Sequence, residues 1–248
     1  MPPTQFFPNK PVPPEKFVGR TFELYKIFSQ INNRGHMAIY GGSGMGKSSL
    51  LHYIKSPNFW EEKGLNFSAA LIVYHNCGGS FTPSSFWQEV LKELRNEAEG
   101  DAGLQSKIDD VLKLETIDVR DIRKILREIG KRDKFLLLLL DNYHRIVGTQ
   151  EEYINNLEKS RKMETFLSGL RNLAVHSKEG QYFSTVVTTF QKLHELGPII
   201  TRAGSPWFNH YLYVDIKPFS QEDIDNFFLA PMLISSFQFP KIFRKKNC

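Results

Sequence analysis

The fold of this chain is decided by residues 41–49, which read Gly-Gly-Ser-Gly-Met-Gly-Lys-Ser-Ser. They contain the spacing Gly-x-x-x-x-Gly-Lys-Ser, with a short apolar run before it and a run of helical periodicity after it. Glycines let the backbone curl so that successive N–H groups point inward toward a phosphate group. The amino terminus of the following helix adds the positive end of its dipole. The stretch therefore predicts a phosphate-binding loop between a strand and a helix.

Two side chains of this loop have specific predicted roles. Lys47 is expected to neutralise the β- and γ-phosphates of a nucleoside triphosphate, and the Ser48 hydroxyl to be a ligand of Mg²⁺. The predicted nucleotide contacts of the loop are Gly41, Gly42, Ser43, Gly44, Met45, Gly46, Lys47, Ser48 and Ser49. A glycine-rich turn without a ligand is the alternative, and the flanking strand and helix disfavour it.

An acidic residue follows the densest apolar run of the chain. Residues 135–140 end in Asp141, whose carboxylate is predicted to bind Mg²⁺ together with Ser48. The next residue is Asn142, where many efficient NTPases carry Glu or Asp. Because an amide can orient a water molecule but cannot take its proton, we expect hydrolysis to be slow. His144 is a candidate substitute base, although a lone histidine is more often structural.

Two threonines end the fourth apolar run. Thr188 and Thr189 are expected beside the terminal phosphate, where a polar side chain could sense that phosphate or hold the attacking water. Threonine is also common at strand ends for structural reasons. The candidate catalytic residues are therefore Lys47, Asp141, Asn142 and Thr188, and the candidate metal ligands are Ser48 and Asp141.

Composition narrows the class of protein. Of 248 residues, 41% are apolar and 24% are charged, which is typical of a folded globular chain, and the net charge of +5 does not by itself indicate nucleic acid. Two cysteines, Cys77 and Cys248, are too few for a disulfide framework or a zinc site. No signal peptide is recognised, and the apolar run 135–140 is too short to span a bilayer. We expect a cytoplasmic protein without a membrane partner.

Strand-like and helix-like patterns alternate along the chain. The predicted strands are residues 37–40, 69–74, 135–140, 183–188 and 211–216. The predicted helices are residues 21–31, a helix opened by Pro83, residues 119–132, residues 153–174 and a helix from about residue 221. The first three strands are apolar nearly all round, which fits a sheet buried on both faces. The pattern predicts an α/β fold with a parallel five-stranded sheet and helices on both faces.

Four stretches together resemble a known class of ATPase. They are Phe17-Val18-Gly19-Arg20 with Glu23 and Leu24, the loop itself, Leu136–Asp141, and Gly204–Asn209 leading to Ile216–Ser220 and Glu222. Over residues 15–230 the chain resembles the additional-strand class of P-loop ATPases. Within it, the match is to STAND-type ATPases of bacteria and their relatives near the origin-recognition AAA+ proteins. The resemblance implies that ATP is the nucleotide and that Val18, Gly19 and Arg20 hold its adenine.

The chain departs from that family in three ways. Asn142 replaces the usual second acidic residue, and Phe190 stands where many STAND relatives have an arginine. The sequence also ends soon after the family's helical lid should begin, so a minimal core, a clipped fragment and a truncated reading frame are alternatives. The expected domains are a proline-rich extended arm (1–16), a P-loop ATPase core (17–217), and the start of a truncated helical lid with a basic tail (218–248).

Three functions are compatible with these patterns. The leading prediction is an ATP-binding, slowly hydrolysing molecular switch of the STAND/AAA+ class, which responds to ATP and ADP and signals by self-association. The alternative is a DNA-associated AAA+ ATPase of origin-recognition type, since residues 74–77 resemble a turn of that class and the tail is basic. The third is a non-hydrolysing nucleotide-binding module, which Asn142 favours. Arg202 is expected either to reach a neighbouring subunit's nucleotide or to be solvated.

Overall fold

A computed structural model describes residues 7, 10–199 and 206–220 of the chain. Within these residues five parallel strands form a sheet in the order β2-β3-β4-β1-β5. The strands are β1 (His36–Tyr40), β2 (Ala70–Asn76), β3 (Phe135–Asp141), β4 (Phe183–Thr189) and β5 (Tyr211–Asp215). The predicted α/β fold is confirmed, and β4 lies between β1 and β3, the order that defines the additional-strand class.

Helices connect the strands and cover the sheet. They are α1 (Thr21–Asn32), α2 (Lys47–Lys55), α3 (Pro57–Glu62), α4 (Pro83–Glu97), α5 (Ala102–Leu112), α6 (Val119–Gly130), α7 (His144–Val147), α8 (Glu151–Ile154) and α9 (Leu157–Arg171). Local sequence explains where two of the long ones begin. Thr82 and Ser85 form a reciprocal capping box ahead of Pro83, and Asp118 with Asp121 does the same for α6.

Both faces of the sheet are buried, and this explains why the strands are so apolar. All seven residues of β3 are buried. Leu137 and Leu139 pack with α1, α2 and α3, whereas Leu138 and Leu140 pack on the opposite face with α4, α5, α6 and α9. A parallel strand enclosed in this way needs apolar side chains at every position rather than at alternate ones.

The predicted helix over residues 153–174 is wrong as a single element. Helix α8 ends at Ile154, and α9 begins anew at Leu157. The break occurs because the Asn156 side chain accepts a hydrogen bond from the amide of Lys159 and so caps a new helix. Helix α9 then continues into a π-helical turn over Asn172–His176. Two further helices were not predicted: α5, which lies in a charged stretch, and the short helix α3.

The described residues of the proline-rich arm are only partly extended. Pro14–Lys16 form a 3₁₀ turn, and the ring of Phe17 stacks on Tyr53 of α2 with centroids 4.6 Å apart. The amide of Val12 donates to the Ser49 hydroxyl at 2.9 Å. The described part of the arm therefore packs along α2. The helix expected from residue 221 lies outside the described residues.

Sheet register places the polar ends of the strands along one edge. Asn76 pairs with Asp141, Leu140 with Val187, and Tyr40 with Thr189. The carboxyl ends of β1 to β4 therefore meet on the side from which the phosphate-binding loop leaves β1. In the ranges that the structure describes, no helix has both the length and the apolarity needed to cross a membrane.

Two histidines, the buried His36 and the partly buried His210, lie at the opposite, amino-terminal edge of the sheet. The Nδ1 atom of His36 lies 2.8 Å from the Thr185 hydroxyl, and its ring meets His210 edge to face at 5.0 Å. Burial, with a smaller contribution from His210, lowers the pKa of His36 to about 3. Burial, with a smaller contribution from Arg171, lowers the pKa of His210 to about 4. Both rings are therefore neutral in the folded protein at pH 7.

These rings predict a loss of stability in mild acid. As pH falls below about 6.5, unfolded histidines take up protons that the folded chain refuses, so the free energy of unfolding falls. The loss is complete only below the folded pKa of about 3. Urea unfolding at about pH 7 and about pH 5 should show a smaller pH dependence for His36→Gln than for the wild type. The control is His194→Gln, because the His194 side chain is half exposed. Equal pH dependence in wild type and His36→Gln would contradict this account.

Candidate functional site

The loop between β1 and α2 has the backbone that its glycines permit. Gly44 and Gly46 have φ of 78° and 87°, and Gly41 has φ of 153°. A Cβ on Gly41 would lie 2.5 Å from the carbonyl oxygen of Ile216, so any side chain there would separate the loop from the end of β5. The loop is held close to β5 because the Ile216 amide also donates to the Tyr40 carbonyl at 2.8 Å.

Lys47 folds back across its own loop. Its ammonium group donates to the carbonyl oxygens of Gly41 and Gly42, each at 2.7 Å. Burial lowers the pKa of Lys47, and the nearby Asp141 carboxylate opposes that shift. The lysine therefore braces the loop in the curved form that a phosphate group would occupy, and it adds positive charge at the same place.

Asp141 is the buried charge of the site. Its side chain ends β3 and is 2% exposed. Its Oδ1 atom accepts from the Thr188 hydroxyl at 2.6 Å and from the backbone amide of Asn142 at 3.0 Å. Its Oδ2 atom accepts from the Tyr74 hydroxyl at 2.9 Å. Donors from three neighbouring segments therefore fix the carboxylate, as a buried charge requires.

Thr188 holds this carboxylate in place. Its side chain is fully buried, and its hydroxyl accepts from the Asn142 amide at 2.9 Å while donating to Asp141. The hydroxyl of Thr189 instead donates to the Gln191 carbonyl at 2.6 Å. The structure thus brings Thr188 to the site through Asp141, and its role in sensing a terminal phosphate stays a prediction.

Asn142 occupies a backbone conformation that few residues adopt. Its φ is 57°, in the left-handed region where Asn is among the tolerated types. Its amide Nδ2 lies 3.4 Å from Oδ1 of Asn76, at the end of β2. The side chain is therefore turned toward β2 and offers an amide where a hydrolytic base would be needed.

His144 lies two residues further along the chain than Asn142, at the start of α7. Its ring meets Phe190 edge to face at 4.6 Å, and its Nδ1 atom is buried without a hydrogen-bond partner among the described residues. Burial is the main cause that lowers its pKa, with Arg145 and Lys47 adding to the effect. The imidazole is therefore neutral at pH 7, which is the form that can accept a proton.

The segment Val18–Arg20 is joined to the loop by one guanidinium group. Arg20 opens α1 with φ of 58° and donates to the Met45 carbonyl at 3.3 Å. The same group lies 4.1 Å above the ring of Phe219, which follows β5. A cleft of about 240 Å³ lies here, lined by Gly19, Arg20, Thr21, Phe22, Glu23 and Phe219. Glycine and aromatic surfaces beside the loop make it a suitable place for a flat base.

The donor set of the site fits Mg²⁺. Ser48 lies in the first turn of α2 and offers a hydroxyl oxygen, and Asp141 offers a carboxylate oxygen. Hard oxygen donors of these two kinds are the ligands that Mg²⁺ takes in proteins. Ser49 is nearly buried, and its hydroxyl accepts from Val12, so the arm contacts the residue next to the predicted metal ligand.

Three residues that the structure brings to this edge were not among the predicted site residues. Tyr74 and Asn76 lie in the last three positions of β2, and Val12 lies in the arm. A polar pair at the end of an apolar strand is the signal that could have marked the first two. No such signal exists for Val12, whose contribution is a backbone amide. Arg202, Gly204 and Ser205 lie outside the described residues.

The solved structures that share this fold include the two described here. A Walker-type ATPase of Pyrococcus abyssi is 19% identical with a TM-score of 0.55, and the match covers 94% of this chain and 63% of that one. The ORC2 protein of Aeropyrum pernix, solved as ADPNP–ADP complexes, is 12% identical with a TM-score of 0.55, covering 92% of this chain and 54% of that one. At these identities the likeness shows the fold alone. The chain spans less than two thirds of the length of either structure.

Comparison with protein sequences and family models identifies the family of this chain. No curated protein sequence matches the chain significantly. The family model described as an AAA domain matches residues 30–175, which is more than half of the chain and includes the loop, Asp141 and Asn142. The predicted relation to AAA-type P-loop ATPases is thereby confirmed, whereas the STAND-type assignment stays a prediction. The chain belongs to the AAA domain family.

Proposed function

We propose that this chain binds ATP with Mg²⁺ at the carboxyl edge of its sheet and hydrolyses it slowly, as a switch whose nucleotide state controls conformation or assembly. The observation that carries the proposal is the braced loop of residues 41–49, with Lys47 on it and the buried Asp141 carboxylate on β3 behind it. This arrangement supplies amide donors, a cation and a carboxylate in a site built on rigid elements.

Each part of ATP has a complementary surface. The phosphates would lie in the loop against Lys47, and the adenine in the cleft lined by Gly19, Arg20 and Phe219. Ser48 and Asp141 would hold Mg²⁺, which would neutralise charge on the phosphate oxygens. The other side chains of the site would hold the loop in its curved form, fix the Asp141 carboxylate and orient the attacking water molecule.

The same geometry supports slow hydrolysis. Asn142 offers an amide in place of a carboxylate, and its backbone is fixed by hydrogen bonds to Asp141 and Thr188. A general base typically contributes about 10²- to 10⁴-fold to a rate, so its absence leaves nucleotide binding as the dominant event. His144 is the neutral base nearest along the chain and is the candidate for residual activity.

A route from nucleotide to the rest of the chain passes through Arg20. This side chain contacts the loop at Met45, the helix α1 at Glu23, and the ring of Phe219 beyond β5. A base that entered the cleft would touch Gly19 and Phe219 together. Nucleotide state would thus reach residues 218–248, which we propose as the start of the lid, beyond a core of residues 17–217 and an arm of residues 1–16.

A second candidate is a DNA-associated ATPase. It is favoured by the shared fold of the origin-recognition protein ORC2, and by the basic residues of the tail. Duplex DNA binding that weakens steeply with salt would support it. The third candidate, a module that binds nucleotide without hydrolysing it, is separated from the first by single-turnover hydrolysis.

Loss of the loop lysine should weaken nucleotide binding. Lys47→Ala removes the phosphate partner and both hydrogen bonds that brace the loop. We expect ATP affinity measured by calorimetry to fall at least about 10-fold, since a charge-assisted hydrogen bond contributes ~1.5–3 kcal/mol. The matched control is Lys55→Ala on the same helix, because Lys55 pairs with Glu97 at the surface. Equal ATP affinity in Lys47→Ala and wild type would reject the site.

Restoring a carboxylate at residue 142 should speed hydrolysis. Asn142→Asp keeps the shape and tolerates the left-handed backbone, while adding a group that can accept a proton. We expect single-turnover cleavage, with protein in excess, to rise about 10-fold or more over wild type. Asn142→Gly is the control for the backbone conformation, and its cleavage rate should not exceed that of the wild type. The account fails if Asn142→Asp is no faster, or if the wild type already turns over near the typical ~10 s⁻¹.

A further inference from the structure

The carboxylate of Asp141 has few positions left for a metal. An ionised carboxylate offers about four lone-pair positions, two on each oxygen. Two donors, the Thr188 hydroxyl and the Asn142 amide, occupy Oδ1. The Tyr74 hydroxyl occupies one position on Oδ2 at 2.9 Å. One position therefore remains, and it lies on Oδ2.

We propose that Tyr74 is a positioning residue that restricts Asp141 to this single metal-facing position and thereby favours Mg²⁺ over larger divalent cations. The proposal rests on the nucleotide function proposed above. Tyr74 would not touch the nucleotide; it acts through the carboxylate that it holds.

Tyr74 is itself held from two sides. Its backbone pairs with Leu139 of β3, two residues before Asp141, so its place beside that strand is fixed by the sheet. Its ring lies against the ring of His52, with centroids 4.6 Å apart and planes inclined by 32°. His52 belongs to α2 and follows Ser48 by four residues, so it shares the face of the helix that carries the predicted metal ligand.

Cation size explains the expected selectivity. Mg²⁺ needs near-octahedral geometry and commonly takes one oxygen from each carboxylate, whereas Ca²⁺ accepts six to eight ligands and often both oxygens of one carboxylate. Bidentate binding by Asp141 would displace one of the donors that now occupy its oxygens. Tyr74 opposes this exchange because it anchors Oδ2 and so prevents the carboxylate from rotating about its Cβ–Cγ bond. Without the phenol, the carboxylate can rotate, exchange one Oδ1 donor for the ion and present both oxygens to a larger cation.

The test measures metal-dependent nucleotide binding without catalysis. Affinity for a fluorescent, non-hydrolysable ATP analogue is measured in Mg²⁺, in Ca²⁺ and in EDTA, for wild type and Tyr74→Phe. In Tyr74→Phe we expect the gain in affinity from Mg²⁺ over EDTA to fall about 10-fold, the size typical for a partner of a metal ligand. The gain from Ca²⁺ should stay the same or increase, and affinity in EDTA should stay within about twofold because the loop is unchanged.

Tyr211→Phe is the matched control. The Tyr211 hydroxyl is buried near Thr185 (3.5 Å) at the start of β5, which is the opposite edge of the sheet from Asp141. Its removal should leave the Mg²⁺ gain and the Mg²⁺-to-Ca²⁺ ratio unchanged. A fall in this control equal to that in Tyr74→Phe would show a general loss of packing and overturn the proposal.

The outcomes separate this proposal from the proposed function. If wild type binds with a gain from Mg²⁺ and folded Tyr74→Phe shows the same gain and the same ratio, Tyr74 does not position the metal ligand. If wild type does not bind the analogue, or Lys47→Ala binds it equally well, the nucleotide site itself is rejected. Should Tyr74→Phe not fold by circular dichroism, His52→Leu loosens the Tyr74 ring instead, and an unchanged ratio there overturns the proposal.

Discussion

The structure depends on one constraint, the burial of the Asp141 carboxylate at the end of the central strand β3. A buried charge is tolerated only when hydrogen-bond donors surround it, since an unpaired one is costly. Here the donors come from β2, from β4 and from the residue that follows β3: Tyr74, Thr188 and the Asn142 amide. The strand order and register must be correct for these groups to meet, so the polar site and the apolar sheet specify each other.

The loop of residues 41–49 lies at the same carboxyl edge of the sheet and is shaped by contacts there. Gly41 lies so close to the Ile216 carbonyl that no side chain fits between them, and Lys47 satisfies the carbonyl oxygens that the curl leaves exposed. Arg20 then connects the loop to α1 and to Phe219. The loop is thus held in its curved form by contacts within the chain.

The features that depend on short stretches of sequence were predictable. The loop, the five strands and the amphipathic helices follow from spacing and periodicity, and β3 could be placed because it is apolar at every position. Prediction failed where a local competitor intervened. Asn156 ended a helix that periodicity alone would continue, and α5 was hidden in a charged stretch whose apolar residues, Leu104, Ile108 and Val111, lie on one buried face.

The sequence by itself determined the class of fold, the glycine-rich loop with its lysine and serine, and the acidic residue that ends β3, because these depend on backbone freedom and residue spacing within short segments. Only the tertiary structure decided which groups surround Asp141, that Asn142 turns toward Asn76, and that the Val12 amide reaches Ser49. These contacts join residues from 37 to 67 positions apart. Local propensity carries no information about such pairs, which are set when the strands and helices pack.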